Sequence, residues 1–185
     1  MNILEDYYLI VDLEATCADD KSIPRKQMEI IEIGAVMLNA RSLQIESEFQ
    51  SFIRPVVHPQ LTPFCTALTS ITQADVDGAP PFQTALKAFK GWFFHFGSYR
   101  FCSWGEYDRK QFQRDCQRHG IGYPFAGGHL NLKTAFSASQ GLHRKLGLQQ
   151  ALDQLDLIFK GIPHRGLDDA RNTAQVVCAV QSRKI

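Results

Sequence analysis

The stretch Tyr7-Tyr8-Leu9-Ile10-Val11-Asp12-Leu13-Glu14-Ala15-Thr16 constrains this chain most. Its first five residues form a continuous run of aromatic and aliphatic residues of the kind that favours strands. A run of that type reads as a strand buried on both faces. Asp12 and Glu14 stand at its carboxyl end, and residues two apart on a strand point to the same face. Two carboxylates side by side repel unless a proton or cation lies between them, and hard divalent cations prefer carboxylate oxygen. The alternative is a strand that ends in water with two solvated acids.

Two more strands are expected close behind. Met28 to Leu38 is apolar with Gly34 inside it, and Gln44 to Ile53 spaces Ile45, Phe49 and Ile53 with polar residues, as an outer strand with one wet face does. The turn between them, Asn39 to Leu43, is short, so the simplest arrangement is a three-strand antiparallel meander. Pro55 to Pro59 is a connector, and Leu61 to Ile71 is a short helical piece with Thr62 as N-cap and Pro63 at its first position. Thr72 to Val76 offers another helical turn, and Gly78-Ala79-Pro80-Pro81 breaks the chain.

Phe82, Ala85, Leu86, Phe89 and Phe93 then recur at helical spacing, so this helix packs on a sheet, and Phe89, Trp92, Phe93, Phe94 and Phe96 are assigned to the core. Tyr99 to Trp104 is a strand, Glu106 to His119 a helix ending at Gly120, His129 to Leu132 a short strand, and Lys133 to Gly141 helical or turn-like. Leu148 to Leu157 and Leu167 to Ser182 are helices, the latter with Ala170, Ala174, Val177 and Cys178 inward. Three strands followed by alternating strands and helices make an α/β domain with a mixed sheet.

The 185 residues are expected to form one domain, 1–185, burying about 70% of the unfolded surface. A net charge of +1 neither advertises nor excludes a local basic face. The five cysteines are odd in number and dispersed, with no metal-knuckle spacing, which suits reduced thiols in a cytoplasmic protein. Met1 to Asp6 lacks the pattern of a targeting signal, and no run of about 18 apolar residues suggests a membrane span.

Further candidates for chemistry follow the later elements. Asp108 stands in the first turn after the Tyr99 strand, near the sheet end where sites in α/β folds gather; an acid there also suits the helix dipole. His164, Asp168 and Asp169 flank the start of the last helix, and His164 and Asp169 can face one cleft. Asp168 and Asp169 could equally serve the dipole. Successive helix residues point about 100° apart, so Asp168 and Asp169 do not meet the same metal, and Asp169 is preferred.

Together these stretches resemble the DEDDh branch of the 3′–5′ exonucleases. The first motif resembles Asp12-Leu13-Glu14-Ala15-Thr16, the second Ser103-Trp104-Gly105-Glu106-Tyr107-Asp108, and the third is His164 five residues before Asp169. Ile30-Ile31-Glu32-Ile33-Gly34-Ala35 and Phe64-Cys65 through Leu68-Thr69-Ser70-Ile71 also match, so the resemblance covers nearly the whole chain. It is nearest to exoribonucleases that trim small RNA, histone message and ribosomal RNA ends and to bacterial KapD-like proteins. Ser70 departs from the glycine many members carry in the loop at the terminal nucleotide.

The resemblance implies a ribonuclease H-like, five-stranded mixed sheet flanked by helices. It implies hydrolysis from a free 3′ end of single-stranded nucleic acid, RNA preferred over DNA, with release of nucleoside 5′-monophosphates. Two ions, Mg²⁺ or Mn²⁺, about 4 Å apart would assist, with Asp12 bridging both, Glu14 and Asp169 completing one set, and Asp108 acting through water. His164 would be the general base, a role suited to imidazole. Leu13, Ala15, Thr16, Leu68, Thr69, Tyr107 and His164 would meet the terminal nucleotide.

Tyr107 reads equally as a stacking ring or as core. Arg109, Lys110, Arg114, Arg118, Arg165 and Arg171 read equally as a grip on nucleic acid or as a solvated face. A non-catalytic nucleic-acid-binding module with the same fold is the competing class, favoured by loss of an acidic ligand, and none is lost. A structural protein with incidental acids would leave the order of five residues to chance. With no appended RNA-binding domain expected, targeting would fall to this domain's own surface or a partner.

Overall fold

β1 (Tyr7–Ala15) is the central strand of the sheet. In the computed structural model, which describes residues 3–182, it pairs antiparallel with β2 (Ile30–Asn39), and β2 pairs antiparallel with β3 (Ile45–Phe52). Met1 and Asn2, weighed above for a targeting signal, lie outside the described residues. After α1 (Pro63–Thr69), α2 (Gln73–Asp77) and α3 (Phe82–Phe93), β4 (Tyr99–Ser103) joins the other edge of β1 in parallel. α4 (Tyr107–Arg118) leads to β5 (His129–Asn131), parallel to β4, and α5 (Leu132–Ser139), α6 (Leu148–Gln154) and α7 (Gly166–Ser182) complete the chain. The sheet among the described residues has five strands in the order β3-β2-β1-β4-β5. This is the meander plus parallel strands expected from the sequence. No helix of the described residues is long and apolar enough to cross a membrane.

Period-two alternation divides the core. Leu9, Val11 and Leu13 of β1 pack with Phe82, Leu86, Phe89 and Phe93 of α3 and Phe112 of α4. Tyr8 and Ile10 point the other way, onto Ala170, Ala174 and Val177 of α7. Asp12 and Glu14 continue that second face, so the two acids lie on the α7 side of the sheet. α7 runs antiparallel to β1: Gln181 at its far end donates from Nε2 to the Tyr8 hydroxyl at 2.7 Å, while Gly166 at its start lies against Asp12 and Gly34. The helix therefore begins at the carboxyl end of β1.

The caps expected on α1 are present. Thr62 accepts from the Cys65 N–H at 3.0 Å, with Pro63 in the first turn, and α2 gains a reciprocal cap between Thr72 and Asp75.

Three expectations require correction. Phe94 is 81% exposed, because one step past buried Phe93 turns a side chain about 100° off the apolar face. The helix from Leu148 ends at Gln154, where the chain turns and Asp156 takes a left-handed φ of 59°. Ile45 does not share a face with Phe49: the register shift at Met37/Leu38 pairs Ile45 with Leu38 on the α7 side and leaves it partly exposed.

The closest approach in the fold is between Gly34 of β2 and Gly166. A Cβ on Gly34 would lie 2.0 Å from the Gly166 carbonyl carbon, in backbone that has no side chain to move aside. Gly34→Ala is expected to cost at least about 1–3 kcal/mol by overpacking, read as a lower urea midpoint with unchanged slope.

Candidate active site

The acids converge on one cavity of about 560 Å³ at the carboxyl end of β1. Asp12 and Glu14 reach it from β1, Asp108 from the first turn of α4, and His164 and Asp169 from the start of α7. Asp108 is fixed because its Oδ1 accepts the Leu13 N–H at 3.2 Å, which joins α4 to the end of β1. α4 is tied to the start of β2 as well. Asp115 Oδ2 accepts from the Ile30 N–H, and Gln111 donates to the Met28 carbonyl at 2.9 Å.

The five-residue spacing of His164 and Asp169 has a local cause. The His164 N–H donates to Asp169 Oδ2 at 2.9 Å, so this carboxylate holds the residue that precedes the helix. His164 takes a left-handed φ of 60°, uncommon for a non-glycine residue. The loop that carries it is tied to α7 at every second residue. Lys160 exchanges hydrogen bonds with Asn172, the Ile162 N–H donates to Asp168 Oδ2 at 2.9 Å, and His164 donates to Asp169. Asp168 thus serves the loop and, through Arg171, the helix; it does not line the cavity.

The electrostatics are those of crowded acids. Burial, then repulsion from Asp108, Glu14, Asp169 and Glu32, pushes the Asp12 carboxyl well up. Burial followed by Asp169, Glu32 and Asp108 raises Glu14 to about 9. Burial lifts Asp169 to about 7 against the opposing His164 N–H, and Asp108 to about 6 against hydrogen bonds that include the Leu13 N–H. Glu14, His164 and Asp169 each offer a ligand atom within 4.8 Å of the others. Asp12 and Asp108 line the same cavity outside that tight set. Oxygen-rich, mutually repelling donors of this kind suit a hard divalent cation.

Of the expected nucleotide contacts, Leu13, Ala15, Leu68, Tyr107 and His164 line the cavity, whereas Thr16 and Thr69 do not. Thr16 is buried with its Oγ1 accepting from the Glu29 N–H, and buried Thr69 bonds to the Cys65 carbonyl and the Ile71 N–H. Tyr107 forms a half-buried cavity wall, with its hydroxyl toward the Met28 sulfur at 3.8 Å and the Arg25 guanidinium 5.5 Å from its ring centroid. Ser70 closes α1 at a left-handed φ of 59°, a conformation that glycine adopts at no steric cost.

The arginines named above are occupied within the protein. Arg109 pairs with Glu106, Arg118 with Asp115, Arg165 with Glu32, and Arg171 with Glu48 and Asp168, while Arg114 donates to Gln111. Arg118 and Arg165 reach buried acids inside the fold, whereas Arg109 and Arg171 make partly exposed pairs and Lys110 is exposed, as a solvated face is expected to be. Cys17, Met28, Trp104, Phe159 and Pro163 also line the cavity; Cys17, Trp104 and Pro163 stand close in sequence to the motif acids and His164, whereas Met28 and Phe159 are brought there by the fold. Cys17 packs beside the cluster that holds Cys65, whose thiol points to the Ala15 carbonyl at 3.7 Å. Glu32 has one local signal in the sequence, a charged residue inside an otherwise apolar strand.

Residues 9–177 match the exonuclease family described as RNase_T. The chain is 40% identical over 180 residues to mouse (Mus musculus) "ERI1 exoribonuclease 3", covering 92% of this chain and 52% of the relative. It is 36% identical over 179 residues to human (Homo sapiens) "3'-5' exoribonuclease 1", covering 92% and 51%. The chain thus spans about half the length of these curated relatives. The crystallographic structure of the nuclease domain of 3'hExo, a DEDDh family member, bound to rAMP superposes with a TM-score of 0.92 at 33% identity, covering 99% of this chain and 95% of that one.

Because Glu14, Asp108 and Asp169 are all raised above ordinary carboxylate values, the folded protein binds more protons than the unfolded chain from about pH 4 upward, and stability falls as pH rises. Of these three the loss ends last at Glu14, raised to about 9, and Asp12, also pushed well up, adds to it in the same direction. In EDTA the melting temperature is expected to drop between about pH 6 and about pH 8.5. Mg²⁺ or Mn²⁺ should raise it, and more at the higher pH. Differential scanning fluorimetry in EDTA and in each metal checks this; a metal-insensitive melting temperature at both pH values would contradict the cation cradle.

Proposed function

The chain belongs to the RNase_T exonuclease family, and we propose that it is a divalent-metal-dependent 3′–5′ exonuclease acting on single-stranded RNA from a free 3′ end and releasing nucleoside 5′-monophosphates. The observation that carries this reading is the meeting of Glu14, His164 and Asp169 within 4.8 Å, in a cavity that Asp12 and Asp108 also line. The preference for RNA is supported by the exoribonuclease names of the relatives and by the ribonucleotide bound to the structural neighbour.

Asp12, Glu14, Asp108 and Asp169 would hold two ions, Mg²⁺ or Mn²⁺. Bound there, the metal would supply positive charge to the transition state and a nucleophile competent at neutral pH. The protein's own side chains do the rest. His164, exposed at the cavity mouth beside two of the acids, takes the proton from the attacking water on an imidazole nitrogen. Leu13, Ala15 and Leu68 give the terminal nucleoside an apolar wall, and Tyr107 offers a ring at the edge of the same cavity. Base–aromatic stacking of that kind contributes about 1–3 kcal/mol. Within this reading the whole chain is one exonuclease domain.

Purified protein with Mg²⁺ or Mn²⁺ is expected to shorten a labelled single-stranded RNA from its 3′ end and release mononucleotides. EDTA should stop the reaction, Asp12→Ala should abolish it, and His164→Ala should slow it by about 10²–10⁴-fold. Parallel substrates of DNA and of RNA with a blocked 3′ end test polarity and sugar preference. Undiminished cleavage in EDTA, or equal cleavage of the blocked strand, would remove the proposal.

A further inference from the structure

Glu32 is a fifth acid beside the cavity, and it is fully buried at 0% exposure. It lies directly across the ladder from Glu14, on the α7 face of β2. Its carboxylate is turned to other partners. Oε1 accepts from Gln50 Nε2 at 2.6 Å, while Oε2 accepts from Arg165 Nε at 3.2 Å and from the Gly166 N–H at 3.1 Å. The Arg165 guanidinium also lies 5.2 Å from the centre of the Phe52 ring of β3. Arg165 and Gly166 directly follow His164.

These contacts differ in kind from the ties between the loop and α7. The bonds from Asn172, Asp168 and Asp169 hold residues 160–164 to their own helix, so loop and helix start form one unit. Glu32 joins that unit to the sheet, where Asp12 and Glu14 stand. A buried carboxylate among like charges raises their proton affinity, so its placement there carries an electrostatic cost that the Arg165 cation offsets. Glu32 also accepts the first N–H of α7, the bond a local cap makes at other helix starts.

We propose that Glu32 is a positioning residue for the hydrolytic reaction: its carboxylate grips Arg165 and the Gly166 N–H, and so holds the His164 imidazole in register with Glu14 and Asp169. The catalytic half of this proposal rests on the exonuclease reading, in which His164 handles the proton. The mechanical half does not. Arg165 accordingly acts inside the protein, as the second half of the latch, and not as a contact to nucleic acid.

Two measurements on the full chain test the halves separately. Amide exchange of the peptide covering residues 160–168 is expected to rise about tenfold in Glu32→Gln, as a charge-assisted bond becomes a neutral one, with the α3 peptide unchanged. In steady-state hydrolysis of single-stranded RNA, the same variant is expected to lose about ten- to a hundredfold in kcat with KM within about twofold, as slight misplacement of a reacting group does. Arg165→Gln should behave alike, the double variant should be no worse than the poorer single one, and Arg165→Lys should recover part of kcat.

Should Glu32→Gln fail to fold, the Arg165→Gln and Arg165→Lys pair decides by the same two readings. Unchanged exchange at 160–168, faster exchange throughout the protein, or a kcat within about twofold of the parent would overturn the proposal. An inactive parent protein would instead remove the exonuclease reading, and the exchange measurement would still decide whether the latch exists.

Discussion

The contact between Gly34 and Gly166 sets the geometry on which the rest depends. Two backbones approach until neither position accepts a Cβ: one on Gly34 would meet the Gly166 carbonyl carbon at 2.0 Å, and one on Gly166 would meet the Asp12 carbonyl oxygen at 2.9 Å. The start of a 17-residue helix is thereby pressed onto the middle of a two-sided strand pair. Gly34 pairs with Asp12 across the ladder, so the helix arrives beside the first acid of the cavity. Any larger residue at either position would lift α7 off the sheet and carry Asp169 and His164 away from Glu14.

That arrangement concentrates acids in a cavity whose other walls, Leu13, Ala15 and Leu68 among them, carry no opposing charge, and the rest of the sheet compensates. On the far face, Phe89, Phe101, Phe112 and Phe125 stack and abut one another, with the Phe101 and Phe125 rings 4.0 Å apart and nearly parallel. On the near face, Tyr8, Ile10, Val36 and Leu38 bury the remaining turns of α7. The stable core and the repelling cluster share strands β1 and β2, divided by position along each strand. Sites that store unfavourable electrostatics in this manner are expected to trade stability for function.

Much of this was legible along the chain because it is local. Strand runs, the proline-led α1, the apolar face of α3 and the spacing of His164 to Asp169 are all written within a few residues of one another. The five proposed catalytic positions could be named from the resemblance of three short motifs, which fall in the carboxyl half of β1, at the start of α4 and around the start of α7. The parts that were not legible depend on partners far away in sequence. Thr16 and Thr69 face inward to bond Glu29 and the end of α1, and Arg171 of α7 finds Glu48 of β3, 123 positions away. The Glu32–Arg165 bond spans 133 positions, and neither local periodicity nor charge pattern announces it.

The cluster of acids is also placed where backbone dipoles favour it. α4 begins at Tyr107 and α7 at Gly166, and each carries a cavity acid in its first turns, Asp108 in one and Asp169 in the other. A helix start presents partial positive charge from N–H groups that lack an intrahelical acceptor, and the effect fades within about one turn. Here those groups are specifically engaged: Asp169 accepts the His164 N–H just before α7, and Glu32 accepts that of Gly166. Two helix starts therefore aim at one point from different sides of the sheet, and they relieve part of the repulsion among the carboxylates without neutralising it. The remainder still lifts Glu14 to about 9 and Asp169 to about 7. A cavity left partly uncompensated in this way keeps its affinity for a cation, whereas full pairing with arginine, as at Glu32, would remove it.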